Sequence, residues 1–173
     1  MRNVILIMVV ILSGCAGMVS GLLPDAEVIK DDFDGALIIR QSPINSSSSF
    51  TQAWHRLGFE WRQKDPNVIF VTAAINGVQN ISGLEFNAND KIIVSSLAST
   101  LTEFDRSAGG GSSLRRFSIT WDEFKVLAAT PEVKVKFVHI NDYTVSSYNA
   151  ESQGGIFIDR VHKFKQKVES IRK

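Results

Sequence analysis

Cysteine is almost missing from this 173-residue chain: Cys15 stands alone, so no internal disulfide can form and stability has to come from packing. Histidine is nearly as scarce, and none of His55, His139 and His162 has a second His or Cys three or four residues away, which removes the usual zinc spacings. An excess of one charge is also lacking. With 19 Lys and Arg against 18 Asp and Glu, the chain offers no basic field along which a nucleic-acid backbone would be neutralised. Beyond residue 14 no apolar run reaches the roughly 18 residues that a membrane-spanning helix needs. No Gly-x-Ser-x-Gly elbow occurs, and the glycine-rich stretch Ser107 to Ser113 lacks the Gly-Lys-Ser or Gly-Lys-Thr ending that brings a lysine to a phosphate. These absences lead to the expectation of a protein that is not an enzyme, with no cofactor, no metal and no nucleic-acid partner.

What is present begins at the start of the chain. Met1-Arg2-Asn3 leads into an unbroken apolar run from Val4 to Leu12, and Leu12-Ser13-Gly14-Cys15 follows. A charged start, a short apolar segment and small residues before a cleavage point describe a secretory signal peptide, and the segment is too short to cross a bilayer as a helix. Leu12 to Cys15 resembles the lipobox of bacterial lipoproteins. That resemblance implies a signal peptide at 1–14, lipidation of Cys15 with a diacylglyceryl group and an amide-linked palmitate-type chain, and membrane attachment through the acylated Cys15. Two acyl signals suffice for lasting anchorage, because each buried methylene adds about 0.8 kcal/mol. Ala16, and not Asp, follows the cysteine, which in the enterobacterial sorting rule implies the outer membrane facing the periplasm, with the inner membrane as the alternative. Removal of Arg2 with the leader would bring the basic residues level with the 18 acids.

Residues 15–34 read as a lipidated tether broken by Gly17, Gly21 and Pro24 and ending in the acids Asp31, Asp32 and Asp34. A single globular domain is expected at 35–173. Ala36 to Gln41 is a strand by its Leu-Ile-Ile content, Pro43 to Ser49 a polar turn, and Phe50, Ala53, Trp54 and Leu57 lie at helical offsets, with Gly58 as helix stop. Phe59 to Gln63 then alternates, Val68 to Ile75 is a continuous apolar strand, and Asn76-Gly77 predicts a hairpin because both residues tolerate positive φ. Strands follow at Leu84 to Phe86 and Lys91 to Leu97, with a turn at Asn87 to Asp90, and another at Arg115 to Ile119. Thr120-Trp121-Asp122-Glu123 has the form of a capping box opening a short helix with Phe124, Leu127 and Ala128 on one face. Val133, Val135 and Phe137 alternate with Lys134 and Lys136, and Asn141-Asp142 turns that strand into Tyr143 to Tyr148. Phe157, Val161, Phe164, Val168 and Ile171 are spaced as one face of a final helix.

The fold class expected is therefore α+β: a mostly antiparallel sheet of about 6–8 strands with two or three helices on one face, the two halves readable as a duplicated strand-helix-strand-strand unit. Ala53-Trp54, Gly58-Phe59 and Asp65 resemble, over fewer than twenty residues, the start of the helix-grip domains in lipoproteins of the outer-membrane β-barrel assembly machinery.

Each residue type that could carry chemistry also has a local explanation. His139 falls in phase with Val133, Val135 and Phe137 and reads as a hydrogen-bonded core residue; His55 and His162 fall on expected helices. Asp31-Asp32-Phe33-Asp34-Gly35 has the wrong spacing for a calcium loop, and Asp122 with Glu123 is accounted for by the capping box. Trp54, Trp61 and Trp121 lie in amphipathic patterns that bury them. Cys15 is the one assigned site residue, as lipid acceptor, with no catalytic, cofactor-binding or metal residue. The expected function is a lipid-anchored envelope protein with a structural or accessory role exerted through contacts with an envelope protein. A binding module for a small envelope ligand is the alternative, and an unrecognised hydrolase comes third. An exposed aromatic cluster in a concave pocket would favour the ligand, and a flat apolar face the protein partner.

Overall fold

Alternating apolar and polar residues carry most of this chain into strands, each with one face to bury. The computed structural model describes residues 25–46, 55–105, 111–149 and 156–172. Cys15, the leader, Phe50 to Trp54 and the glycines at 109 and 110 lie outside the described residues. Eleven strands are seen among those described: β1 (Glu27–Lys30), β2 (Leu37–Asn45), β3 (His55–Arg62), β4 (Val68–Asn76), β5 (Gly83–Ala88), β6 (Lys91–Val94), β7 (Ser96–Leu97), β8 (Glu103–Asp105), β9 (Ser112–Thr120), β10 (Glu132–Val138) and β11 (Tyr143–Asn149). Two helices join them, α1 (Trp121–Ala129) and α2 (Ile156–Ile171). The class is α+β and every strand pairing is antiparallel.

The single expected sheet is in fact two. β1, β2, β3, β4 and β9 lie side by side in that order, with β7 and β8 both on the far side of β9, while β11, β10, β5 and β6 form a separate sheet. Asn76-Gly77 is thus not a hairpin: Gly77 does take φ 92°, but β4 pairs with β9 and the chain leaves for the smaller sheet. The true tight hairpin joins β5 to β6 through Asn89 (φ 50°) and Asp90 (φ 63°), the positive dihedrals of a two-residue turn whose twist suits adjoining strands.

Residues 57 and 58 correct the sequence reading. Leu57 and Gly58 belong to β3, so neither ends a helix, and Gly58-Phe59 gives no support to the helix-grip likeness. Opposite them β2 is bulged: Gln41 pairs with Phe59 and Ile44 with Leu57, leaving Ser42 and Pro43 against Gly58. Pro43 to Asn45 is consequently strand and not turn. The strand-helix-strand-strand order is seen in the second half, as β9, α1, β10 and β11.

Folding also begins ahead of Gly35, where the expected tether was to end. Ala26 is buried, β1 pairs with β2, Asp25 forms an ion pair with Arg160 of α2, and Lys167 of the same helix donates to the Ala26 carbonyl. The acids at 31 and 34 serve the β1–β2 turn: their carboxylates accept from the N–H groups of Phe33 and Ala36 at 2.9 Å, and Gly35 takes φ 73°.

The inner face of the large sheet presents Ile39, Leu57, Phe59, Trp61, Ile69, Val71, Phe117 and Ile119. Around Phe59 it meets the helices, with ring centroids at 5.3 Å from Phe124, 6.0 Å from Phe164 and 6.1 Å from Phe157. The capping box of α1 is complete, Glu123 N–H donating to Thr120 Oγ1 and Thr120 N–H to Glu123 Oε2, and Trp121, Phe124, Leu127 and Ala128 are buried as the pattern requires. α2 buries Phe157, Val161, Phe164 and Val168. At the His55 end the large sheet faces the small one instead, whose inner face carries Leu84, Phe86, Val133, Val135, Phe137 and Tyr148.

Candidate functional site

Two places collect groups that could do more than pack. The first is a chain of polar side chains between the sheets. His55 starts β3 and faces inward, where it is 5% exposed. Its Nδ1 lies 2.8 Å from Ser146 Oγ and its Nε2 2.9 Å from Thr144 Oγ1, both on β11. The same Thr144 hydroxyl is 3.2 Å from His139 Nε2, so a single hydroxyl links two imidazoles. The Phe137 ring centroid sits 4.5 Å from that of His55, and Tyr148 donates its hydroxyl to the His55 carbonyl. Burial, with the nearby charge of His139, pushes the His55 pKa down to about 4. Burial pushes the Tyr148 phenol up, against the pull of a hydrogen bond with Ser46, so it stays a neutral donor.

A Ser–His contact of this length is the geometry of a nucleophile and its base, but two features weigh against that use. A base held near pKa 4 is a poor proton acceptor at neutral pH. The adjoining surface cavity, about 360 Å³, is lined by Gln79, Asn80, His139, Ile140, Asn141, Asp142 and Thr144 and so touches the Thr144–His139 end, not Ser146. The arrangement works as a latch: side chains of the small sheet satisfy the buried imidazole of the large one.

The second place is the outer face of the small sheet, which no helix among the described residues covers. Ile92 (57% exposed) and Val94 (67%) on β6, and Tyr143 (61%) and Val145 (51%) on β11, stand out from it. Between them run the Lys136–Glu85 ion pair at 3.2 Å and a shallow groove of about 210 Å³ lined by Glu85, Phe86, Asn87, Ile92, Lys134, Lys136 and Val145. The outer face of the large sheet is different in kind: Glu60, buried between strands, is held by Arg40 at 2.8 Å and Arg62 at 2.7 Å. Burial alone would raise its pKa, but the hydrogen bonds from Arg62 and Arg40 outweigh that and hold the carboxyl below the usual range.

The other residues singled out in the sequence fall into structural places. His139 is buried in phase with Phe137, as its alternation predicts, though it lies just past β10 and its Nδ1 has no partner among the described residues. His55 is on a strand and not a helix, whereas His162 is on α2 and donates from Nε2 to the Ala128 carbonyl at the end of α1. Trp61 and Trp121 are buried; Trp54 lies outside the described residues, as does Cys15. Asp122 pairs with Lys125, and Ser113 at the end of the glycine-rich stretch donates to the Gly77 carbonyl while accepting from Gln79. No helix of the described residues is long and apolar enough to cross a membrane. The Ser146–His55–Thr144–His139 chain is not legible in the sequence, because its members are brought together by two sheets whose partition is not local information. No family model matches this chain, no curated protein matches it, and no solved structure matches its fold.

Proposed function

We propose that this is a lipid-anchored envelope protein, held in the outer membrane by acylated Cys15 and facing the periplasm, with a non-enzymatic structural or accessory role exerted through protein contacts. The anchor rests on the Leu12-Ser13-Gly14-Cys15 pattern. The observation that carries the contact role is the open outer face of the small sheet, where four large apolar side chains on two strands stand exposed beside a shallow groove. Trp61 and Trp121, which would build a platform for a small ligand, are spent on the core. Two measurements test the reading separately. Metabolic labelling with a fatty acid should mark the native protein and not Cys15→Ser; a variant still marked removes the anchor. Photo-crosslinking from position 145, on that face, in intact cells should capture protein. Capture equally strong from Lys125, an exposed position on α1, would remove the role of this face.

A further inference from the structure

Among the described residues, the strand edges that no other strand pairs with are not alike. β1 has four residues and carries Glu27 and Lys30; β6 has four and begins with Lys91; β7 and β8 have two and three, with Glu103 and Asp105 on β8. Shortness and charge are how proteins keep exposed strand edges from pairing with other chains. β11 has neither protection. It runs seven residues, Tyr-Thr-Val-Ser-Ser-Tyr-Asn, without a charge or a proline, and its register to β10 is unbroken from Tyr143 to Asn149 with no bulge. It is also held rigid from behind, since Thr144, Ser146 and Tyr148 are fixed by His55 of the large sheet. An edge that is already straight and ordered loses little entropy when a strand is added.

We propose that β11 is the pairing edge for a second copy of this chain, joining β11 to β11 antiparallel about a two-fold axis so that the two small sheets become one continuous sheet of eight strands. The proposal rests on the protein-contact reading and names its partner. Isologous pairing requires a strand complementary to itself. Centred on Ser146, the register sets Val145 against Ser147 of the other copy, Tyr143 against Asn149 and Thr144 against Tyr148. No like charges meet, because the strand has none, and half-exposed Val145 and Tyr143 gain neighbours on the outer face. A foreign strand would find no charge on this edge to select it, whereas the same lack of charge lets the strand meet its own copy without repulsion. Anchorage of both copies in one membrane would raise their effective concentration at no cost in contacts.

The test uses the full chain in intact cells, expressed in two differently tagged copies, with a photo-crosslinking residue at 145 or, as a control on the opposite edge, at 92. Position 145 should give an adduct of twice the chain mass carrying both tags, position 92 should not, and Val145→Lys in both copies, probed from 147, should reduce the adduct at least tenfold. Equal melting temperatures for Val145→Lys and native protein verify that the exposed substitution leaves the fold intact. Absence of a double-tagged adduct from 145, or its persistence in Val145→Lys, overturns the proposal. Capture of only a different protein from 145 overturns the second copy as occupant and leaves the contact role standing, while fatty-acid labelling of Cys15 reports on the anchor independently.

Discussion

At Gly58 the missing side chain makes room for something on another strand. A Cβ there would stand 3.0 Å from the Gln41 carbonyl oxygen and 3.1 Å from Cδ of Pro43, the residues of the β2 bulge. Its backbone dihedrals are those of an ordinary strand, so the demand is for space and not for conformational freedom. Because the closest atom is backbone, relief requires the bulge to move. Gly58→Ala should therefore destabilise the protein by about 1 to 3 kcal/mol, read from the denaturation midpoint at unchanged slope. A loss below about 0.5 kcal/mol, the ordinary range of a surface change, would mean that β2 shifts freely. The same site explains the misreading of its neighbours: Gly after a periodic apolar run usually stops a helix, and only the bulge, distant in sequence, gives this one another purpose.

Among the elements, α2 and α1 are legible in the sequence because their signals are local. Five apolar residues at helical spacing and a Thr-x-x-Glu box depend on nothing beyond their own turns. β10 and β11 are equally plain, with Val133, Val135 and Phe137 alternating and Asn141-Asp142 at the turn. β3 is not, since apolar residues at offsets of three and four over two turns also fit fragments of a period-two strand. Which strands share a sheet is not legible at all. β4 and β5 are consecutive and separated by a turn-forming Asn-Gly, yet they belong to different sheets, because both edges of β4 are taken by β3 and β9. The candidate site inherits that limit: exposed Tyr143 and Val145 can be read as strand residues, but not as an edge.

The whole molecule should feel acid through two buried groups on opposite faces of β3. Unfolded, His55 would titrate near its ordinary 6.5; folded, burial lowers it to about 4. Between those values the unfolded chain binds more protons, so the contribution of His55 is complete above pH 6.5 and is lost as pH falls towards 4. The groups facing it are His139, whose charge lowers the His55 pKa further, and the neutral hydroxyls of Thr144, Ser146 and Tyr148. Glu60 adds a second loss below its unfolded value of 4.5, as protonation breaks its pairs with Arg62 and Arg40. Urea unfolding from pH 7 to pH 4 should thus show about 2 to 3 kcal/mol of weakening ascribable to His55, with a much flatter profile in His55→Gln. An equally steep profile in that variant would assign the acid sensitivity elsewhere.

The ladder between β4 and β9 runs through nine paired positions, from Val68 opposite Thr120 to Asn76 opposite Ser112, and residues 77–111 are looped out between its two strands. During folding that excursion must be closed, and its entropy lost, before the first cross-strand hydrogen bond repays anything. β3 and β4 can zip from their own turn at 63–67, so a β3–β4 hairpin is the natural early structure and β9 a late arrival. A chain wired in this way refolds in milliseconds to seconds rather than microseconds, a delay that the fluorescence of buried Trp61 and Trp121 would record in a stopped-flow experiment. For that interval β4 has no partner on one flank, which makes it the segment where a crowded, newly synthesised chain is most exposed to mispairing.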